Sequence, residues 1–97
     1  MKPVVIYVKE GCEYSARARQ LLMSKGALFN EKDISFADDL REEMVKKSGG
    51  RTTTPQIFIG DEHVGGFDDL EALDRSGELA KKLSYTGDPD DLRTSHV

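Results

Sequence analysis

One cysteine in 97 residues is the first constraint on this chain, because no disulfide can close within it. Its two histidines, His63 and His96, stand far apart with no second cysteine beside them, so the sequence offers no zinc site. No apolar run approaches membrane-spanning length, and no targeting segment is expected ahead of the first strand. Scarce cysteine without a leader or span points to a reducing cytoplasm and to no membrane partner. Positive charge is short as well. The 14 Lys and Arg face 18 Asp and Glu, a formal net charge of −4, which argues against nucleic acid as a partner. Arg17, Arg19 and Lys25 cluster locally and read as a solvated helix face. A chain of this length makes one domain, able to bury a core without disulfides or metal.

What is present centres on that single thiol. Cys12 follows a β-branched run (Val4, Val5, Ile6, Val8) across the loop Lys9-Glu10-Gly11, and a helical stretch, Glu13 to Lys25, begins just after it. A thiol at a helix N-terminus faces unpaired N–H groups and the positive end of the helix dipole, which favour thiolate. Lys9 adds a mobile positive charge nearby. Most lone cysteines are small buried hydrophobes. Here the strand–loop–helix setting outweighs that default, and Cys12 is the candidate nucleophile.

The remaining pattern predicts an α/β domain. A strand over Leu28–Ile34 follows the first helix, then a helix over Phe36–Lys47 with Ser35 as N-cap and Leu40, Met44 and Val45 on its inner stripe. Gly26 and Gly49-Gly50 are helix stops. Gln56–Ile59 and Glu62–Val64 read as a hairpin turning at Gly60-Asp61. Leu70 and Leu73 mark a helix over Asp68–Asp74, and Glu78–Leu83 resumes a short one. Ser84 to Val97 carries only scattered apolar residues and is expected to be a loose tail.

Three segments in this order resemble the glutaredoxins, most of all the short bacterial ones of the glutaredoxin 3 type. They are Lys9-x-x-Cys12-Glu13-Tyr14-Ser15, Thr53-Thr54-Pro55-Gln56-Ile57-Phe58-Ile59 and Gly65-Gly66-Phe67-Asp68-Asp69-Leu70. The stretch from Arg41-Glu42-Glu43-Met44 to Arg51-Thr52-Thr53 adds to the likeness. The resemblance implies a thioredoxin-like fold, β-α-β-α-β-β-α around a four-stranded mixed sheet with a short extra C-terminal helix, over a domain of residues 1–83. It implies Cys12 as the catalytic thiolate, Tyr14 beside a glutathione groove and Lys9 pairing with a glutathione carboxylate. Thr54-Pro55 resembles the cis-proline step, whose backbone meets the glutathione cysteine. Gly66, Phe67, Asp68 and Asp69 resemble the segment that holds the γ-glutamyl end. Helix N-termini bind carboxylates, and a cis X-Pro bond is inexpensive, so each assignment has a physical warrant as well. Asp68 and Asp69 could equally serve as cap or first-turn acids, and for Asp69 the family pattern favours the ligand role.

Three positions depart from that pattern. Ser15 stands where dithiol members carry the second active-site cysteine. A hydroxyl cannot resolve a mixed disulfide, although it can donate a hydrogen bond to the Cys12 thiolate. Two origins stay open: a naturally monothiol protein, or a dithiol one whose second cysteine was replaced. Glu13 stands where proline is usual, and its charge is expected to raise the thiol pKa, with Lys9 offsetting it. Phe67 replaces a usually small residue. The resulting expectation is a monomeric, glutathione-dependent oxidoreductase that reduces glutathione mixed disulfides, on proteins or small molecules, by a monothiol cycle. Glutathione is its co-substrate, and no metal is expected. Two rivals are a [2Fe–2S] carrier, with two chains and two glutathiones sharing the cluster, and a thioredoxin-fold adaptor without turnover.

Overall fold

In the computed structural model, which describes residues 3–84, the first strand sets the plan because its side chains alternate between two apolar layers. Val4, Ile6 and Val8 of β1 (Val4–Val8) enter one core with Ala18, Leu22, Ile57, Ile59, Leu70, Leu79 and Leu83. Tyr7 enters the other with Ile34, Met44 and Phe58, and Val5 packs beside it. The period of two along a strand thus gives each face of the sheet its own core.

The remaining elements follow in order: α1 (Glu13–Ser24), β2 (Phe29–Asp33), α2 (Asp38–Lys47), β3 (Gln56–Ile59), β4 (Glu62–Gly65), α3 (Phe67–Ser76) and α4 (Glu78–Ser84). The sheet order is β2-β1-β3-β4. β1 runs parallel to β2 and antiparallel to β3, which pairs antiparallel with β4. Helices α1, α3 and α4 cover the Ile6 face, and α2 covers the Tyr7 face. This is the expected mixed four-stranded sheet, with the short extra helix in place. Among the described residues no helix is long and apolar enough to cross a membrane.

Several boundaries differ from the sequence reading. β2 pairs only over Phe29–Asp33, because Leu28 is exposed and Ile34 leaves the ladder after its N–H bonds to Val8 O at 2.9 Å. α2 begins at Asp38, with Ala37 at the N-cap and Phe36 fully in solvent. Ser35 is not the cap. Its N–H donates to Asp33 Oδ1 at 2.8 Å, and its Oγ accepts the Glu10 N–H at 2.7 Å. That hydroxyl therefore fastens the loop before Cys12 instead of starting a helix. α3 begins one residue earlier than expected, with Gly66 as N-cap. Ser84 closes α4, and the remaining residues of the expected tail, 85–97, lie outside the described residues.

Tyr7 ties three elements together. Its hydroxyl donates to the Glu43 carboxylate, which also accepts Lys32 Nζ at 2.7 Å. Burial, and then the Glu43 carboxylate, push the tyrosine pKa well up. Lys32, followed by the Tyr7 hydroxyl, holds the Glu43 carboxyl below its ordinary range. Tyr7→Phe should cost about 1–2 kcal/mol in urea unfolding at neutral pH, since a bond to a charged acceptor is lost. Because the folded-state Glu43 pKa is depressed, its contribution is complete above the unfolded value and disappears as pH falls through the folded one. Glu43→Gln should therefore flatten the acid side of the stability–pH curve.

Candidate active site

Cys12 occupies the N-cap of α1 in extended backbone conformation (φ −86°, ψ 113°), as a cap residue should. Its N–H closes a turn onto Lys9 O at 3.1 Å, and its carbonyl accepts the Ala16 N–H at 3.2 Å. The sulfur is thereby aimed along the first turn, where amides lack intrahelical acceptors. Across the sheet, the Thr54–Pro55 peptide is cis, and the Cys12 thiol donates to Thr54 O at 3.6 Å.

Partial burial pushes the Cys12 thiol up, but donors around the sulfur more than reverse this and its pKa lies below the ordinary value. Those donors are the Ser15 hydroxyl, the Thr54 side chain and the backbone N–H groups of Ser15 and Tyr14. Ser15 is only 2% exposed, and its Oγ has no partner while the thiol proton points at Thr54. Loss of that proton turns the sulfur into an acceptor, and the waiting hydroxyl then has its bond. The expected role of Glu13 does not hold. Its carboxylate pairs with Arg17 Nη2 at 3.0 Å in open solvent, and the groups that move the Cys12 pKa are the neutral donors above.

Beside the sulfur runs a groove of about 270 Å³ lined by Tyr14, Arg51, Thr53, Thr54, Pro55 and Gly66 through Asp69. It gathers every residue singled out in the second and third sequence segments for ligand contact, together with Tyr14. The Tyr14 and Phe67 rings face one another, 6.0 Å between centroids, and Arg17 lies over the outer face of Tyr14. At the far end Asp69 Oδ2 accepts the Gly66 N–H at 3.1 Å. Asp69 thus caps α3, while Asp68 is a first-turn acid and not the cap. Gly65 (φ +121°) lies against this carboxylate, and a Cβ there would fall 2.2 Å from Asp69 Oδ2. Lys9 lies in an adjoining hollow with Arg41, Thr52, Thr53 and Thr54, so Thr53 and Thr54 form the wall between the two. Cys12 itself opens on a further hollow with Lys9, Glu10, Glu13, Ser15 and Arg19. A wider concavity, about 940 Å³, follows the outer face of α2, but one helix lines it and it holds no nucleophile.

A glutaredoxin family model matches residues 4–64. The chain belongs to the glutaredoxin family. It is 56% identical over 79 residues to glutaredoxin 3 of Escherichia coli K12, across 81% of this chain and 94% of that one. The solution structure of a glutaredoxin from Brucella melitensis superposes with a TM-score of 0.77 at 55% identity, covering 91% and 94% of the two chains. A buckwheat glutaredoxin–glutathione complex superposes equally well, 0.77, at 28% identity over 86% of this chain and 77% of that one. Family and thioredoxin-like fold together give the chain a glutathione-dependent redox role.

Arg51, Arg41, Thr53, Gln56 and His63 had been given no role. Arg51 carried only its place in the stretch that adds to the glutaredoxin likeness, since the loop joining α2 to β3 is what brings it to the groove. His63 was weighed only as a zinc ligand. Burial, and then the Arg51 charge, hold its ring pKa below the ordinary value, with Asp69 opposing. Ser15→Ala should raise the Cys12 pKa by about half to one unit, read by thiolate absorbance, because one hydrogen bond to the charged form is removed. Glu13→Gln should leave that titration nearly unchanged.

Proposed function

We propose that the protein reduces glutathione mixed disulfides by a monothiol cycle, with Cys12 as nucleophile. The observation that carries this reading is the sulfur's position. Cys12 sits against Thr54 at the end of a groove whose far wall is the start of α3, and its only neighbouring second-position group is a hydroxyl. The Cys12 thiolate attacks the glutathione sulfur of a mixed disulfide, forming the Cys12–glutathione disulfide and releasing the substrate thiolate, which takes a proton from solvent. A second glutathione thiolate then attacks the glutathione sulfur held on Cys12. Oxidised glutathione leaves and the Cys12 thiolate is restored. In net terms one free glutathione is consumed for each mixed disulfide, giving one substrate thiol and one oxidised glutathione.

In this reading the Thr54 backbone meets the cysteinyl part of the tripeptide, and Tyr14 and Phe67 wall its path. The free amides of Phe67 and Asp68 receive the γ-glutamyl carboxylate at the positive end of α3. Asp69 keeps Oδ2 on the Gly66 N–H and has Oδ1 left for the ammonium group. Lys9 meets the glycyl carboxylate. Glutathione bound in the buckwheat homologue supports the same occupant here. Ser15 cannot displace glutathione from Cys12, so the glutathionylated enzyme waits for reductant.

A glutathione-coupled assay with a small mixed disulfide tests this. Cys12→Ser should abolish turnover, and activity near that of the parent would refute the assignment. Asp69→Ala and Lys9→Ala should mainly raise the apparent KM for glutathione, about tenfold each, as expected when a charged hydrogen bond is lost. Ser15→Cys should add reduction of protein disulfides by a two-thiol route.

A further inference from the structure

Gln56 is completely buried, and every hydrogen-bonding group of its side chain is engaged. Its Nε2 donates to Thr53 O at 3.0 Å and to Thr53 Oγ1 at 3.2 Å. Both amide hydrogens are thus used on one residue, the residue before Thr54. The remaining atom, Oε1, lies 2.7 Å from His63 Nε2. An amide oxygen only accepts, so His63 Nε2 must carry the proton, and this fixes the tautomer of the ring. The ring is held flat against Phe58, 4.8 Å between centroids at 28°, on the neighbouring strand. β4 shifts register against β3 between Ile57 and Phe58, which sets His63 opposite Phe58 while its ring reaches back to Gln56. Arg51 and Asp69 are the charged groups that face it.

These contacts form one line from β4 to the sulfur. His63 orients Gln56, Gln56 holds the carbonyl and the hydroxyl of Thr53, and the next carbonyl along the chain, Thr54 O, accepts from Cys12. We propose that His63 is a positioning residue for the reaction: through Gln56 it sets the Thr53–Thr54 segment against the Cys12 sulfur and against the substrate's peptide backbone. This rests on the glutathione groove proposed above only for its substrate arm, since the thiol arm is independent of any ligand. Without the histidine donor, Gln56 keeps a buried acceptor unpaired and relieves it by turning, which releases Thr53. Protonation of the ring leaves Nε2–H in place, so the device works in either charge state of His63.

Two substitutions separate the donor from the ring. His63→Phe keeps a flat ring for Phe58 and removes the donor, whereas His63→Gln places an N–H near the Nε2 position and removes the ring. The Cys12 pKa, the kcat and the KM for glutathione are measured on both and on the parent, with thermal unfolding alongside. His63→Phe should raise the Cys12 pKa by about half a unit or more as the Thr54 hydroxyl, a donor to the thiolate, drifts from the sulfur. It should also raise the KM for glutathione about tenfold, the effect of one misplaced buried hydrogen bond, with kcat less affected. His63→Gln should recover most of both. If His63→Phe lowers only the melting temperature and leaves pKa and KM at parent values, His63 is merely structural and the proposal fails. It fails equally if His63→Gln is as impaired as His63→Phe. A pKa that moves as expected while no variant, nor the parent, depends on glutathione would sustain the positioning role and overturn the groove assignment instead.

Discussion

The pairing of Tyr7 with Gln56 at one end of the β1–β3 ladder is the constraint on which the site depends. Antiparallel registration there brings the end of β1 beside the start of β3. Lys9 through Cys12 therefore emerge next to Thr53 through Pro55, two segments more than 40 residues apart in sequence, whose contact is the Cys12–Thr54 bond. Neither loop could find the other by its own local preferences. The energy that holds them in register comes from the residues on both faces of the ladder. Ile6 and Ile57 are packed under α1 and α3, and Tyr7 and Phe58 under α2. A one-residue slip would exchange these two sets and expose both cores.

Around the sulfur the protein relies on neutral donors rather than on an ion pair. Ser15, Thr54 and two first-turn amides turn toward a charge that exists only after the thiol ionises. Such donors add nothing to the neutral state that they must later give up, as the unpartnered Ser15 hydroxyl shows. They also resist screening by salt better than a surface cation would. Charged residues nearby are mostly committed to one another, Glu13 to Arg17 and Arg19 to Glu31. The site accordingly joins a thiol at the start of one helix, the start of another helix, and the Thr53–Pro55 segment between them.

Much of this was legible in the sequence because its signals are local. Alternation in Val4–Val8 and the Leu spacing of the helices report burial directly, and Cys12 before Glu13–Ser24 announces a helix-start thiol without any tertiary information. Ser35 was misread because an N-cap and an Asx-turn look alike in sequence. Only the fold shows that its hydroxyl is taken by the Glu10 amide, a bond across 25 residues. Glu13 was misjudged for a related reason. Its proximity to Cys12 in sequence suggested a charge on the sulfur, yet the helix carries its carboxylate toward Arg17 one turn on. Gln56 and His63 gave no warning. A polar residue at the start of an apolar strand and a lone histidine look unremarkable until the hairpin turns one onto the other.

The central claim is that Cys12 takes the glutathionyl group itself and holds it for lack of a second thiol. Intact-mass analysis tests this most directly, with the reduced protein mixed with a glutathionylated peptide and no free glutathione. The account predicts free peptide together with protein carrying one glutathionyl group on Cys12, stable until glutathione is added and then lost as oxidised glutathione. Peptide disulfide-bonded to Cys12, or protein left unmodified while the peptide stays glutathionylated, would contradict it.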